Sequence, residues 1–469
     1  MDCRVKPGND GIIVGYGNDA RSAINKHTRP GGNTMGAHSC RAATLAAPTA
    51  FAAIIAFTTP AFAEASTISA ADTAWMIVAT AFVLMMTIPG LALFYSGMVR
   101  KKNVLATMAQ SLAAVGIISI LWVAFGYSLA FVGDGPWIGS LDRWFLAGME
   151  MDSVNPLAKT IPEALFMLYQ MTFAIITVAL VAGAAADRMR FSAYLLFSVG
   201  WFMFVYVPLA HWVWGGGFLG AAGVIDFAGG LVVHLSAGIG GLVAAKVMGR
   251  RHGYGSENLA PFDLSLAVIG TGLLWVGWFG FNGGSALAAN SRAVMAITAT
   301  HLAACAGALT WGAIEWSTRR KPSVLGMISG AVAGLGTITP ASGFVAPWHG
   351  IVIGMAAGAL CFWACTSLKH RFNYDDSLDV FGVHGIGGMT GTLLAGVFAT
   401  AAIGGTSGLV EGNPQQLLLQ LYGVAVTLAW SGGLTFILLK AVGAFVPLRV
   451  SQQQELEGLD ISQHGEALQ

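Results

Sequence analysis

Between residues 73 and 446 the chain passes through eleven apolar runs, each near the ~20 residues that a helix needs to cross a bilayer. They fall at 73–96, 104–132, 163–185, 191–214, 227–248, 264–287, 293–316, 323–340, 345–367, 379–402 and 416–446. No other feature narrows the fold so far, because a hydrocarbon core supplies no water to backbone N–H and C=O groups. Composition agrees: 55% of residues are hydrophobic and only 10% charged, where soluble domains carry about a quarter charged. The 62 glycines suit helices that approach one another closely in lipid. The expected fold class is an all-α polytopic membrane protein. A net charge of +1 gives no sign of a nucleic-acid partner, and no glycine-rich phosphate loop with its Lys precedes a helix.

The loops set the topology. Arg100-Lys101-Lys102, Arg188 with Arg190, Lys246 with Arg250 and Arg251, Arg319-Arg320-Lys321, and Lys369 with Arg371 occupy every second loop. The loops between them hold Arg143, Lys159 and Arg292. By the positive-inside rule the N-terminus lies outside and the C-terminus in the cytoplasm. Upstream, residues 1–63 read as a leader: a patternless stretch to residue 34, then a signal peptide over 35–63. Arg41, a short apolar segment and Ala61-Phe62-Ala63 before Glu64 make an A-x-A cleavage pattern. Met35 is the expected start and Glu64 the expected mature N-terminus, a genuine N-terminal arm being the alternative. The membrane domain then spans 64–449 and a polar cytoplasmic tail 450–469. From Gln416 to Val446 a straight helix would reach roughly 46 Å, so this last run must tilt strongly in a ~30 Å core.

Two of the runs share a pattern. Asp226-Phe-Ala-Gly-Gly-Leu-Val-Val-His234 is followed by Gly238-Ile-Gly-Gly, and Asp379-Val-Phe-Gly-Val-His384 by Gly385-Ile-Gly-Gly. The histidines lie in the fifth and tenth runs, so two five-helix halves insert with opposite orientation, the arrangement that places transporter sites at a repeat interface. The spacing of Gly-Ile-Gly-Gly differs between the halves, four residues against one, so the symmetry is weak. An ionisable residue in a span marks a functional site. A lone histidine reads as a satisfied core residue, as do His211, His301 and His349; a matched pair reads as functional. Cys361 and Cys365 share a helix face without further ligands and read as packing residues. No structural disulfide is expected.

Aromatic residues form a second constellation. Trp212-Val-Trp214-Gly-Gly-Gly217 ends the fourth run, Tyr169 and Phe173 lie one turn apart in the third, and Trp275-Val-Gly-Trp278-Phe-Gly-Phe281-Asn-Gly-Gly-Ser285 ends the sixth. Aromatic faces attract a small desolvated cation by roughly 0.5 to 2 kcal/mol, and a Ser hydroxyl supplies an acceptor. The same residues also suit an interfacial aromatic belt. Trp212 fits the belt better, while Phe281 and Ser285 fit either role.

These stretches resemble the ammonium transporter (Amt/MEP/Rh) family from about Asp72 through the tail. Asp226-Phe-Ala-Gly-Gly with His234, Trp278-Phe-Gly-Phe-Asn282, Asp379-Val-Phe-Gly-Val-His384-Gly and the tail stretch Glu457-Gly-Leu-Asp-Ile-Ser-Gln-His-Gly465 carry the resemblance. Trp214 and Ser285 together are similar to the bacterial Amt branch rather than to Rh proteins. The resemblance implies eleven transmembrane helices, as two inverted five-helix repeats plus a long tilted eleventh helix, in a homotrimer of the bacterial cytoplasmic (inner) membrane. It implies that Trp214, Phe173 and Ser285 form an outer ammonium site supported by Asp226. Phe173 and Phe281 would be a stacked gate, and His234 and His384 a twin-histidine pair lining a narrow apolar pore. Tyr169, Trp278, Asn282 and Thr339 would lie near that pore. The implied solutes are ammonium, ammonia and methylammonium, with no cofactor or metal, and a PII-type regulatory protein is the implied partner of the tail. Two positions depart from the family pattern: Tyr169, where relatives often carry Phe, and Ser451-Gln-Gln-Gln, where a more charged segment is common.

The physics agrees with that implication. A bare cation in a dry apolar pore pays an ideal Born cost of order 20 kcal/mol, several in practice, whereas neutral ammonia costs far less. Potassium has no proton to give up and would be excluded. The proton either travels along the histidines or stays behind while ammonia crosses alone; the sequence is compatible with both. Rival readings are an ammonium sensor with a transporter-like fold, and a membrane metalloenzyme using His234 and His384, which lacks a convincing set of further ligands.

Overall fold

The structure, a computed structural model, describes residues 68–468. The expected leader, signal peptide and cleavage site at 1–63 lie outside the described residues. Within them the chain is helical, with no strand beyond an isolated bridge between Met189 and Arg449. Among the described residues ten helices are long and apolar enough to cross a membrane. They are α1 (Ala70–Met98), α2 (Lys101–Phe131), α3 (Glu163–Ala185), α4 (Phe191–Ala221), α5 (Gly230–Met248), α6 (Leu264–Gly283), α7 (Ser291–Arg319), α9 (His349–Phe372), α10 (Phe381–Phe398) and α11 (Pro414–Phe445). The eighth run forms a shorter apolar helix, α8 (Val324–Ile338), 15 residues long. Ser323 caps its start, and Pro340 follows close behind its end.

The two halves meet residue by residue. The Asp226 carboxylate accepts the N–H groups of Gly229, Gly230, Leu231 and Val232 at 2.6–3.3 Å and so caps α5. Its counterpart at α10 is Asp376, which accepts from Val380 (3.1 Å) and Phe381 (2.7 Å). The sequence pattern pointed to Asp379 instead. That residue has left-handed backbone (φ 57°) and turns its carboxylate to Lys369 Nζ at 2.8 Å. The residue after each cap is docked at the end of the third helix of the other half: Phe227 N–H donates to the carbonyl of Pro340, just past α8 (3.1 Å), and Ser377 N–H to that of Ala184, in the last turn of α3 (3.3 Å). In this register each histidine follows its capping Asp by eight residues and precedes a crossing glycine by four. Gly238 lies against Gly385, and Gly388 against Gly230 and His234, so close that a Cβ at Gly238 would stand 2.2 Å from Gly385 Cα. Only glycines allow that approach.

Helix α11, about 48 Å long at 1.5 Å per residue, packs on α4 and α5 of the first half and α10 of the second. Its polar side chains are spent on those contacts. Gln420 brackets Ile225 through both its N–H (2.9 Å) and its C=O (2.6 Å), Ser431 donates to the Ser236 carbonyl (2.7 Å), and Thr435 accepts from the Trp201 indole (2.9 Å).

The tail folds back across the loops at one end of the bundle. Ser451 and Gln454 form a reciprocal capping box that starts a short helix, Gln452–Glu457. Buried Glu455 pairs with Arg449 (2.7 Å) and accepts His252 N–H (2.6 Å). Asp460 caps the neighbouring start of α2 through Leu105 N (3.1 Å) and Ala106 N (2.8 Å). Beneath lies an ion network: Arg251 grips Asp375 in bidentate fashion (2.8 and 2.9 Å) and Asp187 (3.2 Å), which also meets Arg100 (3.3 Å) and Asn103. Burial alone would raise the Asp375 carboxyl, but the Arg251 guanidinium bonded to it holds it below its ordinary value.

Candidate functional site

A line of cavities runs through the bundle between its two ends. At the end where α4 finishes, Phe173, Trp214 and Ser285 line a cavity of about 270 Å³. The Trp214 indole is held by its N–H, which donates to the Asp226 carbonyl at 2.8 Å. Trp214 stands edge-on to Phe173 at 5.9 Å and 86°. Ser285 donates to the Phe281 carbonyl (2.8 Å), which leaves its oxygen lone pairs for a donor in the cavity. The cavity floor is closed by Phe173 and Phe281, stacked 4.2 Å apart at 27°.

Below that stack lies an apolar constriction of about 10 Å³, lined by Phe281, Trp278, Val233, Leu274, His234 and His384 among others. The imidazoles face one another with Nδ1 atoms 3.2 Å apart and rings within 10° of parallel. Such a bond needs one donor and one acceptor, so the neutral pair holds two different tautomers. Buried His234 Nε2 has no partner among the described residues. Trp278 lies along His234 at 5.5 Å and 17°, its indole N–H donating to Thr339 Oγ1 (2.9 Å). His384 also opens on a second cavity, of about 300 Å³, at the tail end, where Cys365, Lys369 and Asp379 line the wall.

Three of the elements carrying these residues are wide, π-type turns: Gly230–Leu235 holds His234, Phe279–Gly283 holds Phe281, and Phe381–Gly385 holds His384. Such turns expose backbone carbonyls and recur at functional sites. The Tyr169 hydroxyl answers one of them, lying 3.0 and 2.9 Å from the Gly280 and Phe281 carbonyls and 3.3 Å from Ser285 Oγ.

Residues 74–468 match the Ammonium Transporter Family. The chain belongs to that family. It is 48% identical over 397 residues to an ammonium transporter of Bacillus subtilis (strain 168), covering 84% of this chain and 97% of that one. Its fold is similar to the crystal structure of Saccharomyces cerevisiae Mep2, with a TM-score of 0.77 at 38% identity over 83% of this chain and 89% of that one. A solved sensor Amt protein is similar as well, with a TM-score of 0.78 at 28% identity over 84% and 98%.

In this ammonium transporter family member, Trp214, Phe173 and Ser285 share one cavity, and His234, His384, Trp278 and Phe281 share the next. Four residues named from the sequence, Asp226, Asn282, Thr339 and Tyr169, do not line either cavity. The Asp226 side chain is buried and bound to four backbone amides, touching the first cavity only through its carbonyl and Trp214. Buried Asn282 donates to Thr300 Oγ1 (2.8 Å) and ties α6 to α7. Thr339 lies behind Trp278, and Tyr169 behind the turn that carries Phe281. Cys361 and Cys365 are buried free thiols, packed against Val383 and Gly382 of α10. Sequence reasoning missed Asp376; the equal eight-residue spacing from Asp226 to His234 and from Asp376 to His384 was the signal for it. Among the described residues, no group of three or more His, Cys, Asp or Glu side chains is placed to hold a metal ion.

Proposed function

We propose that this protein carries ammonium into the cytoplasm across the bacterial inner membrane, with the Trp214 end outside and the tail inside. Ammonium is recruited between the Trp214 and Phe173 faces and the Ser285 oxygen, loses its proton there, and crosses the constriction as ammonia once the Phe173–Phe281 stack parts. The observation that carries this reading is the Nδ1–Nδ1 contact of 3.2 Å between His234 and His384 inside an apolar space too small for a hydrated ion. A bare cation there faces a desolvation cost of several kcal/mol, and the neutral pair offers one hydrogen-bonded line for a polar solute or a proton. A proton arriving at the outer ring flips the pair from one tautomer arrangement to the other and leaves from the inner ring.

Uptake of radiolabelled methylammonium by a transport-deficient strain tests the reading. Wild type is expected to accumulate the label; binding without uptake would favour a sensor with this fold. In the same assay Trp214→Leu removes a cation–π face worth about 0.5–2 kcal/mol, and a weakened apparent affinity is expected. An unchanged concentration dependence would assign Trp214 to the interfacial belt alone.

The same reading includes a homotrimer and a tail that receives a PII-type regulatory protein on its cytoplasmic face. The tail's contacts support it: Glu455 and Asp460 join Arg449, the α5–α6 loop and the start of α2 into one platform. A pull-down with the cognate PII protein, with and without 2-oxoglutarate, is expected to retain it under at least one condition. Retention under none would remove the partner.

A further inference from the structure

Helix α8 turns one face toward the line of cavities. Leu325, Ser329 and Val332 line the tail-end cavity, and Val332 also lines the constriction. Thr339, just past the helix end, takes the Trp278 indole N–H. Steps of four, three and seven residues along this set put its members on one side of a helix, and Gly336 lies between Val332 and Thr339 on that side. A Cβ on Gly336 would have its three nearest neighbours among the described residues at 3.8 Å: His234 Cε1, His234 Nδ1 and His384 Nδ1. That is an optimal separation for non-bonded heavy atoms, so Gly336 leaves a gap of one methyl group's size against the Nδ1–Nδ1 bond. Neither packing nor backbone conformation requires a glycine at this position. It sits in ordinary right-handed helix, where Ala is the more stable residue. Gly330 and Gly334 on the same helix differ, because a Cβ there would stand 2.6 Å from the Gly307 carbonyl and 2.2 Å from that of Ala303 on α7. Those two are packing glycines; Gly336 is not.

We propose that Gly336 is a specificity-determining residue: the gap it leaves is where one neutral molecule of ammonia's size passes the histidine pair, and its width favours ammonia over methylamine. This rests on the reading of the constriction as the solute's path. An ammonia molecule and a methyl group are nearly the same size, so the Cβ that fits the gap marks the place of one ammonia. Each Nδ1 has a single in-plane hydrogen-bonding site, and the bond between the two rings uses both. Shape and neutrality therefore decide what enters there. A cation meets no lone pair to offset its desolvation. Methylamine brings a second heavy atom to a constriction of about 10 Å³, which holds about one water-sized molecule, and passes only by displacing the walls. Gly336→Ala fills the gap with a permanent methyl group and touches neither the outer cavity nor the Phe173–Phe281 stack.

The test is current evoked by ammonium chloride, and separately by methylammonium chloride, on proteoliposomes of the full chain, with Gly336→Ala beside a Gly116→Ala control on α2. Wild type and control are expected to behave alike. Gly336→Ala is expected to lower the maximal current for both salts while the half-saturating ammonium concentration stays unchanged. The ratio of ammonium to methylammonium current should rise about tenfold, the lower range of what one methylene decides in a shaped apolar pocket. Its melting temperature in detergent is expected to hold or rise, which separates a blocked passage from a damaged fold. An unchanged ratio, whether or not the currents fall, would overturn the filter. A lowered melting temperature would overturn it too, since the added methyl would then be meeting atoms rather than a gap. Wild type that gives current with neither salt would break the transport reading itself, whereas a conducting wild type beside a Gly336→Ala of unchanged ratio breaks this inference alone.

Discussion

Replacing His384 with Ala is expected to lower the ammonium-evoked current at least about tenfold, the lower range of what a positioned proton-transfer group contributes. Among the described residues the imidazole is the only partner of His234 Nδ1, at 3.2 Å, and it bridges the constriction to the tail-end cavity. Without it a proton accepted by His234 has no next group, while ammonia finds a slightly wider passage. Current and uptake should therefore separate: methylamine permeation persists as charge movement falls. His234→Glu keeps a protonatable side chain in line and should retain part of the current. Solid-supported-membrane electrophysiology reads this directly. A His384→Ala protein with wild-type current would reduce the two histidines to pore lining.

Gly238→Ala is expected to destabilise the protein by about 2–3 kcal/mol or more, at the upper end of overpacking costs. The added Cβ would lie 2.2 Å from both Cα and N of Gly385, and those atoms belong to the turn that carries His384. Backbone cannot swing aside as a side chain can, so α5 and α10 must move apart and the Nδ1–Nδ1 contact lengthens with them. The control is Gly116→Ala on α2, where a Cβ meets nothing within 4 Å; there the helix propensity of Ala gains up to about 1 kcal/mol. Apparent melting temperatures in detergent should drop for the first and hold or rise for the second. Equal melting would mean that the two helices do not depend on that crossing.

The sequence by itself determined the features that depend on local quantities. Run length and hydropathy mark the spans because the bilayer imposes one thickness on every helix. The two histidines stood out because an ionisable group in an apolar run is costly wherever the chain then goes. Trp214, Phe173 and Ser285 were nameable from residue type and motif, though their meeting in one cavity was not. What only the tertiary structure decided are the pairings between residues far apart in the chain. Asp379 lies nearer His384 in sequence, yet the α10 cap is Asp376, because capping depends on which carboxylate reaches the free N–H groups of the first turn. Tyr169 stood out only as a departure from the family's usual Phe; that its hydroxyl binds the carbonyls of the wide turn at Phe279–Gly283 follows from the packing of α3 on α6. Glu163 reads locally as an ordinary acidic first-turn residue; that the Tyr127 hydroxyl and Arg143 Nε both meet its Oε1 follows only from where those two residues arrive. Hydrogen bonds of this kind are set by distance and angle between elements, and one-dimensional spacing carries neither.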